Sequence, residues 1–126
     1  MKTPYVFNFD GGPISINILK KIWQSYFSDK PFPNVQAYNL KYSEFVKTIS
    51  DYETSDPEFK KSCEQAELKE YGRLHTFQEI GAKLIPLNPE KTKFLILRRR
   101  NSPFALRNDL KHELEHIYNG DCSKPL

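Results

Sequence analysis

What the chain has little of bounds it first. It holds two cysteines, Cys63 and Cys122, too few for a disulfide framework, which favours a reducing compartment where both stay as thiols. No apolar run approaches the roughly 20 residues of a membrane-spanning helix. The stretch before Asp10 offers no signal-peptide apolar core, so a cytoplasmic protein is expected. Charge of one sign is not in large excess: 19 basic against 16 acidic residues leave +3, which does not by itself imply nucleic acid. Repeats, low-complexity tracts and linkers are also missing, so the expectation is one domain over residues 1–126. Histidine is scarce too, at three, which makes a patterned pair of them informative.

What is present is a soluble, globular composition, 38% hydrophobic and 13% aromatic, with Phe and Tyr supplying bulk for a single core. Near the end lies Asn108-Asp109-Leu110-Lys111-His112-Glu113-Leu114-Glu115-His116-Ile117-Tyr118, which contains H-E-x-x-H. At about 100° per residue, His112 and His116 share one helical face roughly 40° apart, close enough for both imidazoles to reach one ion. Leu106, Leu110, Leu114 and Ile117 gather opposite as a core stripe, leaving the histidine face free to line a cleft. Asn108 and Asp109 sit one turn earlier on the histidine side, placed to orient a ligand imidazole or to bind water. Glu113 and Glu115 flank the histidines almost symmetrically, so the wheel does not choose between them.

Along the rest of the chain, Tyr5 to Phe9 alternate as a short strand until Asp10-Gly11-Gly12-Pro13 forces a turn. Ser15 caps an amphipathic helix carrying Ile18, Leu19, Ile22, Trp23, Tyr26 and Phe27, an aromatic stripe that reads first as core and second as a partner surface. Pro31-Phe32-Pro33-Asn34 ends it, Val35 to Leu40 form a second strand, and Ser43 starts a helix with Phe45, Val46, Ile49 and Tyr52. Asp51 to Asp56 reads as an acidic loop. Asp56-Pro57 opens the next helix, with Phe59, Cys63, Ala66 and Tyr71, and Gly72 stops it. Ala82 to Leu87 and Lys93 to Leu97 flank Asn88-Pro89-Glu90-Lys91 as a β-hairpin, its second strand buried on both faces. Arg98-Arg99-Arg100 reads as solvated charge at a strand end, or else as a patch for acidic substrate or phosphate. Asn101-Ser102-Pro103 then caps the H-E-x-x-H helix, with Pro103 in its first turn. The fold class expected is α+β: a short mixed or antiparallel sheet whose hairpin (82–97) leads into the H-E-x-x-H helix, packed with about three other helices.

The order of hairpin, polar turn and H-E-x-x-H helix resembles the zincin metallopeptidases. Lys93 to Asp121 is closest in texture to the ImmA/IrrE type, and the small size to the minigluzincins. The resemblance implies Zn2+ held by His112 and His116, with Glu113 as the general base that takes a proton from the zinc-bound water. It covers about the last quarter of the chain and is specific at H-E-x-x-H alone. It departs at the third ligand. Gluzincins take a Glu from a downstream helix, yet none of the ten residues after His116 is Glu. Metzincins use the position six residues after the second His, which here is Cys122. Asp121, Glu64 or Glu67 of the earlier helix, and His75 are the other candidates.

The function expected is therefore a zinc metallopeptidase that hydrolyses peptide bonds, with the hairpin edge holding a peptide or protein substrate by strand addition. A latent form is compatible with a thiolate ligand at Cys122. The alternative is a non-catalytic, zinc-stapled interaction module that recruits a protein partner or a second copy through the aromatic helix. Nucleic-acid binding through Arg98, Arg99, Arg100 and Arg107 ranks third, since no base-reading or stacking motif accompanies them.

Overall fold

In the computed structural model, which describes Phe7 and residues 11–120, the elements run β1 (Gly12–Pro13), α1 (Ile16–Tyr26), β2 (Asn34–Leu40), α2 (Tyr42–Ser55), α3 (Pro57–Tyr71), β3 (Ala82–Pro86), β4 (Lys93–Arg99) and α4 (Leu106–Asn119). The result is an α+β fold with a mixed four-stranded sheet in the order β1-β2-β4-β3. The predicted hairpin is present: Ala82 pairs Arg98 and Pro86 pairs Phe94, antiparallel. Its turn is held by Asn88, whose Oδ1 accepts the backbone N–H groups of Thr92 (2.9 Å) and Lys93 (3.2 Å). β2 lies parallel to β4, from Asn34 opposite Lys93 to Leu40 opposite Arg99.

Phe94 to Leu97 are buried without interruption, because β4 is an inner strand with helices on both faces. On one face α1 and α4 bury Leu19, Ile22, Trp23, Leu110 and Leu114 against Leu84, Phe94 and Ile96. On the other, α2 and α3 bury Phe45, Ile49, Tyr52 and Phe59 against Ile85, Leu95 and Leu97. Each fully buried leucine or isoleucine contributes about 1.5–3 kcal/mol relative to exposure. Leu19, Ile22, Trp23 and Phe27 of the α1 stripe are core, Trp23 and Phe27 packing on Tyr118 of α4 at ring-centroid distances of 6.0 and 4.9 Å, whereas Ile18 and Tyr26 are exposed. Ser15 caps α1 as expected, accepting the Asn17 N–H at 3.2 Å.

Three expectations are corrected. Asp51 to Asp56 is not a loop: α2 continues to Ser55, because Tyr52 is still needed in the core and nothing breaks the helix before Asp56-Pro57. Gly12–Pro13 is not only a turn but the strand β1, paired antiparallel with Asn39 and Tyr38. Gly11 beside it has no room for a Cβ, which would meet the Asn39 carbonyl and the Leu40 side chain. Pro103 lies outside the last helix, which begins at Leu106 after an Ala105 cap that makes no side-chain hydrogen bond. The Ser102 hydroxyl is instead engaged in the preceding turn, accepting the Phe104 N–H at 3.1 Å. Of the strand predicted at Tyr5 to Phe9 only Phe7 is among the described residues; it stands outside any strand, stacked on Tyr52 at 5.6 Å.

Candidate metal centre

α4 carries the H-E-x-x-H residues, and its orientation is fixed at both ends. Asp109 in its first turn complements the helix dipole and accepts Arg98 Nε at 3.0 Å. Arg98 further donates to Asn39 Oδ1 (3.1 Å) and to the Phe104 carbonyl (3.2 Å), so one guanidinium joins β2, β4 and the turn before α4. At the other end, Tyr118 donates its hydroxyl to Asp29 and its carbonyl accepts Lys30 Nζ, each at 2.7 Å. Gly120 closes the helix in the left-handed conformation (φ 70°).

With Leu110 and Leu114 fully buried, the helical period turns His112 and His116 away from the core. Their Nε2 atoms stand 3.3 Å apart, with the rings edge to face at 4.7 Å. Glu113 lies beside them, its Oε2 3.8 Å from His112 Nε2, and potential donor atoms of all three residues fall within 4.8 Å of one another. These three residues can hold a metal ion. The imidazole of His112 is 58% exposed whereas the Glu113 carboxylate is 7% exposed, so the group opens to solvent on its histidine side. Burial pushes the Glu113 carboxyl above the usual range, against the opposing pull of His112, His116 and Lys83.

The structure thus separates the two carboxylates that the helical wheel left equivalent: Glu113 faces the histidine cleft, and Glu115 is exposed outside it.

The cleft has a volume of about 430 Å³ and runs between α3 and α4 across β3. β3 is the terminal strand of the sheet. Its Gly81 carbonyl accepts Arg99 N–H and its Leu87 N–H donates to the Lys93 carbonyl, each at 2.8 Å, so by alternation the peptide groups of Ala82 and Leu84 point away from β4. Both residues line the cleft. Gly81 permits the close packing of β3 on α4, since a Cβ there would meet Ser102 Oγ and the Asp109 carboxylate.

Of the proposed third ligands, Glu67 and His75 line this cleft and Glu64 does not; Asp121 and Cys122 lie outside the described residues. Asn108 lines it as expected, but Asp109 is committed to Arg98 rather than to a histidine. Arg98 and Arg99 are buried, which corrects both readings of the arginine run. Arg99 donates to the Phe77 carbonyl at 2.9 Å and lies 5.2 Å from the Tyr42 ring; of the four arginines from Arg98 to Arg107, Arg100 and Arg107 are exposed. Sequence reasoning missed Lys83, Tyr71 and Phe104 as cleft residues. Lys83 is the one basic chain of Lys or Arg type in the lining, 5.5 Å over the Phe59 ring. Burial opposes its charge, but Cys63 and Glu53 outweigh it and raise its pKa. Alternation along β3 was the only available signal for it.

Among the described residues no helix is long and apolar enough to cross a membrane. Compared with protein-family models, curated proteins and solved structures, the chain matches none.

Proposed function

We propose that the ion is zinc and that the protein is a metallopeptidase in which Glu113 moves the proton. The observation that carries this reading is the 3.3 Å separation of His112 and His116 Nε2: two nitrogens bound at about 2.05 Å to a tetrahedral ion stand about 3.3 Å apart. The donor chemistry suits zinc, which accepts imidazole nitrogen readily and leaves a position open in catalytic sites. The exposed side of His112 leaves room for that position.

Bound there, zinc supplies Lewis-acid polarisation of a carbonyl and makes water acidic near neutral pH. The rest falls to the chain's own residues. On this reading Glu113, buried with its Oε2 3.8 Å from His112 Nε2, accepts a proton and gives it up to a leaving amine. The outward peptide groups of Ala82 and Leu84 can pair with an extended substrate by strand addition, which lays it along the cleft beside Glu113. The burial of Trp23 and Phe27 removes two of the aromatic side chains that a partner-recruiting helix would have used, leaving Tyr26 exposed.

The test is metal content by elemental analysis, followed by incubation with a mixed peptide library read by mass spectrometry. Wild type should carry one zinc, His112→Ala none, and Glu113→Gln one zinc with no cleavage. A wild type that neither holds nor takes up zinc overturns the proposal. Zinc-loaded wild type that leaves every peptide intact supports a structural metal instead.

A further inference from the structure

We infer that Glu67, on the α3 wall of the cleft, is the third protein ligand of the metal, so that the ion bridges α3 and α4. The inference rests on the zinc reading above and assigns the donor it leaves open.

Elimination among the acidic groups of the cleft points to this residue. Glu79 is consumed by Arg73, in contacts of 3.0 and 2.6 Å, and by the Thr76 N–H at 2.9 Å. Asp109 is consumed by Arg98. Glu113 lies with the histidines on α4 itself and, on the reading above, is reserved as the base. Glu70 is exposed at the rim. Glu67 is half-buried and its carboxylate is oriented on one side only: Oε2 accepts the His75 N–H at 3.0 Å, with His75 Nδ1 3.8 Å away. The His75 N–H engages only that oxygen, and Lys83 and Arg73 act on the carboxylate through charge. A carboxylate held by a backbone N–H while its second oxygen stays available is the outer-shell support that metal-binding carboxylates commonly have.

Charge balance points the same way. Two neutral imidazoles leave the +2 of a zinc ion uncompensated, and a single carboxylate halves it while preserving Lewis acidity. His75 is fixed beside Glu67 by its edge contact with Tyr71, at 4.7 Å between ring centroids, so the loop after α3 serves to aim the carboxylate. Glu67 lies outside the group whose donors fall within 4.8 Å. Ligation therefore draws the α3 wall toward α4, and metal binding should stiffen a segment that contributes no histidine to the H-E-x-x-H pattern.

The experiment uses the full chain with zinc as the probe and has two readouts. Zinc affinity is measured by competition with a chromophoric chelator for wild type, Glu67→Gln, Glu70→Gln and His112→Ala; hydrogen exchange of residues 63–76 is followed with and without zinc. Gln keeps the acceptor for the His75 N–H, so Glu67→Gln should fold. It should bind zinc about 10–100-fold more weakly than wild type, while Glu70→Gln stays within about two-fold. Zinc should slow exchange in residues 63–76 of the wild type but not of Glu67→Gln. Wild-type affinity in a folded Glu67→Gln, or zinc binding without protection of that segment, overturns the assignment while leaving the zinc reading intact. Failure of the wild type to bind zinc at all overturns both.

Discussion

Replacing Arg98 by Met should cost this protein more than any surface change, and the size of the loss follows from what the guanidinium holds. The Arg98 and Asp109 side chains are 11% and 6% exposed and meet at 3.0 Å. Removing the cation leaves a buried carboxylate without its partner, and breaking such a pair costs about 3–5 kcal/mol. It also strips one donor each from the Asn39 amide oxygen and the Phe104 carbonyl. Against a total stability of about 5–15 kcal/mol this is a large fraction. With 126 residues and an unfolding entropy of about 2.1 cal/mol/K per residue, a loss of ~4 kcal/mol lowers the melting temperature by about 15 °C. Urea unfolding followed by circular dichroism, with chelator present to remove metal linkage, measures it directly. Arg98→Met with Asp109→Leu should recover about 2 kcal/mol or more of the single-variant loss, because the lone charge is gone. A loss below about 1 kcal/mol for Arg98→Met, with no recovery in the double variant, would show the pair behaving like an exposed one and refute the reasoning.

Two further outcomes can be measured, the first on the metal-free protein. Burial raises the Glu113 carboxyl, so above the ordinary carboxylate range the folded state binds more protons than the unfolded chain, and stability falls as pH rises through that window. Glu113→Gln, which does not titrate, should melt above wild type at neutral pH, with the gap closing as the pH drops through the carboxylate range; a gap that widens in acid contradicts this sign. Gly81→Ala should lose about 1–3 kcal/mol, since its Cβ meets Ser102 and Asp109, and should weaken zinc binding through the displaced first turn of α4. An unchanged melting temperature and metal affinity for Gly81→Ala would count against that packing.

The hairpin and the H-E-x-x-H helix were legible in the sequence because their signals are local: two extended apolar segments flanking Asn88-Pro89-Glu90-Lys91, and a leucine stripe opposite a histidine pair. The pairing of β2 with β4 was not, since a parallel neighbour reached across two helices leaves no mark within either strand. Arg98 and Arg99 read first as solvated charge and second as a patch because charge alone cannot report that Asp109, Asn39 and three carbonyls wait for them. Glu113 and Glu115 were equivalent on the wheel, and only the packing of α4 on the sheet separates them. Tyr71 and Phe104 reached the cleft from segments whose own patterns spoke of a helix end and a turn.

Pro86 sets a length. It occupies the next outward position on β3 after Ala82 and Leu84 and has no N–H to offer there. The free edge of the sheet therefore acts as a short ruler, with full rungs at two residues and a stop at the third. Under the strand-addition proposal, a segment docked in register would span about four residues, or roughly 13 Å, confining recognition to a few side chains. The same stop denies a second copy the long run of open groups that sheet-to-sheet growth requires, so the strand can stay uncovered without becoming a template for fibres.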